Sequence, residues 1–141
     1  MRLHRFTRPV LASALVLTLS ACRNTAALDP IVGTFLATTF TVTPAGEATL
    51  NALALGSTLG INVANNLVTA GTLVMSPNVT RGPTIVASMA GTAVVTGSTV
   101  RFAQTADTFV RDLTFTLVGN QLQALNQVVA GTQYTLVLTR Q

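Results

Sequence analysis

Thr84–Gln104 reads TIVASMAGTAVVTGSTVRFAQ, and the fold turns on this stretch. Threonine and valine dominate it, and branching at Cβ favours the pleated surface of a strand. Gly97-Ser98 sits between two such runs, and a pair of this kind suits a two-residue hairpin turn. In Thr99–Gln104, Val100 and Phe102 share one face and Arg101 takes the other. Thr84–Thr96 is long for a single strand, so Gly91 within it marks a bend or bulge.

The same rhythm runs outward in both directions. Upstream, Ile31–Thr43 (IVGTFLATTFTVT) is a first strand and Pro44-Ala45-Gly46-Glu47 a turn. Thr58–Val63 alternates Leu59, Ile61 and Val63 against polar or small residues. Ala64-Asn65-Asn66 reverses the chain into Leu67–Met75, and Ser76–Pro83 is a loop. Downstream, Thr105–Arg111 is ambiguous, and Leu113, Phe115 and Leu117 then line one face. Gln121–Val128 and Thr132–Thr139 follow, separated by turns at Val118-Gly119-Asn120 and Val129-Ala130-Gly131. Tyr134, Leu136 and Leu138 share a face. Ala48–Leu55 (ATLNALAL) alone has helical propensity, for about two turns ended by Gly56. Tight turns make neighbouring strands antiparallel, and a meander this apolar must hide its edges. The expectation is an all-β domain over residues 31–141: a single antiparallel up-and-down (meander) β-barrel with one short helix after the first strand.

Composition narrows function. The chain has 141 residues, 49% hydrophobic and only 9% charged, with no lysine. That is the reverse of a disordered chain and sets a limit of one domain. The formal charge of +4 resembles that of a nucleic-acid binder, but Arg2, Arg5 and Arg8 crowd the first eight residues. Without that segment five arginines face Asp29, Glu47, Asp107 and Asp112, which gives no electrostatic case for phosphate-backbone binding. The one histidine, His4, lies in the same segment. The remaining chain offers no His-based triad and no zinc site built on nitrogen or sulfur. Asp107 and Asp112 are five apart and would point to opposite faces of a regular strand, so paired-carboxylate hydrolysis is unsupported. The expectation is no enzyme and no cofactor or metal.

The N-terminus carries an address. After the three arginines comes an apolar run, Val10–Leu19, then Leu19-Ser20-Ala21-Cys22. The run is too short to cross a bilayer, which takes roughly 20 apolar residues, and it fits the apolar region of a secretory signal peptide. Cys22 is the only cysteine. The four residues resemble the lipobox of bacterial lipoproteins. That resemblance implies a signal peptide over 1–21, lipidation of Cys22, and a lipidated tether over 22–30. It further implies attachment to a membrane in the bacterial cell envelope. Arg23, where an Asp would favour inner-membrane retention, favours the outer membrane, facing the periplasm or the surface.

Gly33-Thr34-Phe35, the hairpin meander and Arg140 together resemble a small lipocalin-like barrel. Lipocalins carry Gly-x-Trp near the start of the first strand and a late arginine packed over that ring; here Phe35 stands in the tryptophan's place. Arg140 by itself reads either as a solvated terminal residue or as the cation stacked on Phe35.

Two functional readings follow. A barrel of about eight strands can hold one small ligand, and a hydrophobic or amphipathic molecule would meet Phe35, Val100, Phe102, Leu113, Phe115, Leu117, Tyr134 and Leu136. Alternatively the barrel is filled, and the protein is a non-catalytic structural or interaction module. The cluster Arg101, Asp107, Arg111 and Asp112 reads as cross-strand surface ion pairs near a turn; the sharper option puts Arg101 or Arg111 inside the barrel, where it would meet a ligand carboxylate. Gln121, Gln123, Asn126 and Gln127 read as a solvated edge or a binding rim.

Overall fold

The computed structural model describes residues 31–141; the expected signal peptide, the expected tether and Cys22 lie outside the described residues. Ten strands form one antiparallel sheet: β1 Gly33–Thr43, β2 Leu50–Asn51, β3 Thr58–Val63, β4 Val68–Met75, β5 Ile85–Ser88, β6 Gly91–Thr96, β7 Thr99–Gln104, β8 Phe115–Val118, β9 Gln121–Val129 and β10 Thr132–Arg140. Sequential neighbours pair, and β10 returns to β1, so eight strands close a meander barrel. β2 adds to the free upper edge of β1, because β3 pairs only with Gly33–Leu36.

β5 and β6 behave as one bent strand. Both pair with β4 in a single register, from Met75↔Ile85 to Val68↔Thr92, and the N–H of Met89 donates to the Gly71 carbonyl across the gap. Gly91 has the role its position suggests. A Cβ there would meet the Ala103 carbonyl oxygen at 2.2 Å, so only glycine lets β6 and β7 approach this closely. The hairpin after β6 turns at Gly97, with φ +60°, and that after β9 turns at Ala130-Gly131, both at positive φ.

One expectation is corrected. Ala48–Leu55 is not a helix: Leu50–Asn51 pairs with Thr41 and Val42, and a turn follows. The Asn51 side-chain oxygen accepts the Ala54 N–H at 3.1 Å, and this local bond replaces the helical one. The two short helices lie elsewhere: α1 is Pro77–Thr80, and α2 is Phe109–Asp112 within the ambiguous segment. Each places one buried residue, Val79 or Val110, against the barrel.

Inward alternation fills the barrel. Phe35, Phe40, Phe102, Phe115, Leu59, Ile61, Leu73, Met89, Leu122 and Leu136 are all fully buried. Each such side chain contributes about 1.5–3 kcal/mol relative to exposure. The register defines two ends. Ile31, Phe35 and Arg140 lie at one, with the hairpin turns near Asn65, Gly97 and Gly119. The other carries α1, α2 and the Ala130-Gly131 turn.

Candidate functional site

The eight residues expected to line a ligand chamber converge in the core. Phe35, Val100, Phe102, Leu113, Phe115 and Leu136 are all 0% exposed and belong to one core cluster, with Leu117 and Tyr134 partly buried against it. The Phe102 and Phe115 rings meet edge to face at 5.3 Å. Only Phe102 and Tyr134 of the eight border any of three clefts described at the surface.

Each barrel end carries an aromatic contact. At one, the Arg140 guanidinium carbon lies 5.2 Å from the centre of the Phe35 ring. At the other, Phe109 of α2 stacks on Tyr134 at 4.1 Å and 3°, and touches Phe40 at 5.9 Å. Burial there pushes the Tyr134 hydroxyl above its ordinary pKa, partly countered by a hydrogen bond with the Thr132 side chain.

The charged cluster stands outside the barrel. Arg101 is exposed, opposite the buried Val100/Phe102 face. The spacing of Asp107 and Asp112 reads as opposite strand faces, but α2 bends the chain and brings both to Arg111. Arg111 Nη2 lies 2.5 Å from Asp107 Oδ1, and Nε lies 3.9 Å from Asp112 Oδ1. The ion pairs are local rather than cross-strand, and both carboxylates face Arg111. Among the described residues no group of three or more His, Cys, Asp or Glu could hold a metal, and no helix is long and apolar enough to cross a membrane.

The polar run on β9 knits the wall together. The Thr114 N–H donates to Gln127 Oε1 at 2.8 Å, and Gln127 Nε2 donates to the Thr114 carbonyl. A side-chain amide thus stands in for a strand where β8 has not yet begun. Gln121 donates to Thr139 and accepts from Gln123. Asn126, at φ +53°, forms a bulge whose N–H donates to Thr135 Oγ1.

Sequence reading missed the surface clefts. One, of about 500 Å³, lies on the outer wall of β1, β3 and β4. Its floor includes Gly60 and Gly71, with Leu36 leaning over Gly60. A second, of about 400 Å³, includes Arg101 and Arg111. The signal for the second was present in the two arginines but not the bend that unites them. Comparison with known proteins finds no matching family model, no matching curated protein and no matching solved structure.

Proposed function

We propose that this chain is a lipid-anchored protein of the bacterial cell envelope whose filled β-barrel works, without catalysis, through its outer wall. The observation that carries the reading is the interior. Six of the eight residues that would face a ligand are fully buried, Leu117 and Tyr134 pack partly buried against them, and an aromatic contact stops each end. A chain that is 9% charged and leaves Leu36, Val86, Val94, Leu125 and Val128 exposed has an adhesive exterior. The anchor rests on the lipobox resemblance at Leu19-Ser20-Ala21-Cys22; acyl chains hold a protein at about 0.8 kcal/mol per buried CH₂.

Native mass spectrometry of the chain made in a bacterial envelope tests both halves. The mature protein should gain the mass of a diacylglycerol plus an acyl group, and Cys22→Ser should abolish that gain and the processing. Residues 23–141, purified from a periplasm without detergent, should carry no adduct. A discrete lipophilic adduct would instead restore the ligand-holding barrel, and an uncut, unmodified chain would overturn the anchor.

A further inference from the structure

Four arginines lie among the described residues, and three are engaged. Arg81 makes a two-pronged pair with Glu47, Arg111 is paired with Asp107 and Asp112, and Arg140 covers Phe35. Arg101 makes no ion pair among the described residues. It stands on the outer wall, directly opposite Val94 in the β6–β7 ladder.

The wall is incomplete beside it. The β7–β8 ladder stops at Val100↔Phe115. Beyond that point the chain swings aside through α2, and among the described residues no strand runs along Arg101–Gln104 on the β8 side. The gap is the cleft of about 400 Å³, bordered by Arg101 and Arg111 with Val94, Ala103, Gln104 and Thr105. Two guanidinium groups on one cleft repel unless an anion sits between them. The charge on Arg111 is offset by its own aspartates; that on Arg101 is not.

The geometry points to an oxyanion site: this cleft takes the carboxylate or phosphate group of a small amphipathic molecule. The fork of a guanidinium matches the two oxygens of either group. Arg101 is the principal donor. Arg111 is the second, exchanging the Asp107 carboxylate, whose side chain is 88% exposed, for that of the ligand. The apolar remainder rests on Val94 and Ala103. Neither the anchor nor the filled interior enters here, so an empty cleft would leave both readings standing.

The test uses the full chain in a maltoside detergent, followed through the backbone amide resonances of residues 101–105. Inorganic phosphate, butyrate and neutral butanol are titrated separately. Saturable shifts with phosphate or butyrate are expected, and which of the two binds more tightly identifies the headgroup. R101Q should weaken that binding at least tenfold with an unchanged melting temperature, and R101K, which keeps the charge but loses the fork, should fall between. Three results would each overturn the site: no saturation by either anion, equal shifts with butanol, or full affinity in R101Q.

Discussion

Arg140 lies directly opposite Phe35 in the β1–β10 ladder, and its guanidinium carbon sits 5.2 Å from the ring centre. Directly opposed residues share a face, so the inward position of Phe35 obliges Arg140 to turn inward too. Its Nε and Nη2 are buried without a hydrogen-bond partner. The π-face of Phe35 is therefore their compensation, weaker than an indole face would be. Arg140→Ala should lower stability by about 1–2 kcal/mol, the range of a desolvated cation–π contact plus stem packing. Arg140→Met keeps the stem and discards the charge; its melting temperature should fall between. A melting temperature equal to that of the wild type in Arg140→Met would assign the contact to packing alone.

Gly91 and Gly97 should respond differently to alanine. At Gly91 the new Cβ would press on backbone, 2.2 Å from the Ala103 oxygen and 2.7 Å from the Gln104 Cα, and neither can move without parting β6 from β7. At Gly97 nothing lies within 4 Å, and the cost is that of a left-handed residue alone. Urea unfolding should show about 1–2 kcal/mol lost in Gly97→Ala and clearly more in Gly91→Ala. Equal losses would refute the close approach.

Gln127 offers a test of the stand-in pairing. Gln127→Glu keeps an acceptor for the Thr114 N–H but sets a carboxylate oxygen against the Thr114 carbonyl. Ionisation is then opposed in the folded state, which lifts the folded pKa above the ordinary value of about 4.3. The unfolded chain releases its proton first. Relative stability must therefore fall as pH rises from about 4.3 to the higher folded value. Relative to wild type, the variant should lose about 1–3 kcal/mol at pH 7 and less at pH 4, read from urea midpoints. A penalty independent of pH would break the argument.

Tyr134 is the only tyrosine, and there is no tryptophan, so phenolate absorbance reports this residue alone. Its hydroxyl is held above the ordinary value of 10.0 by burial. Above pH 10 the unfolded chain loses the proton first, so the native state is destabilised as pH climbs towards the folded value. Tyr134→Phe should flatten that decline in melting temperature. Phe109→Ala removes the stacked ring and should bring the titration back towards 10. An unchanged titration in Phe109→Ala would mean that α2 does not shield the hydroxyl.

The barrel was legible because alternation survives closure. Val100, Phe102, Leu136 and Leu138 read as inward, and all are fully buried. The bent strand around Gly91 was legible too, since glycine in a valine-rich run has few other uses. Ala48–Leu55 misled because alanine and leucine favour helix locally, whereas the unpaired edge of β1 recruits Leu50–Asn51 from outside that window. The four-residue α2 leaves no periodicity to read. The unpaired edge of β7 that it creates, and with it the cleft at Arg101, depends on where one ladder stops. The inward residues were correctly grouped, yet grouping alone does not separate a lined chamber from a filled one; volume does. Arg140 was open between two readings until the β1–β10 register fixed its face.

The seam between β1 and β10 has a temporal consequence. The hydroxyls of Thr38 and Thr139 meet at 2.8 Å across 101 residues of chain. A ring sealed by β1 and β10 cannot form before β10 has left the ribosome. Until the nine residues of β10 arrive, β1 and β9 each expose an open edge. Contacts this distant in sequence also make folding slow. Closure therefore waits for β10, and the β1–β10 residue pairs decide whether the nascent sheet becomes a closed ring or a template for its neighbours.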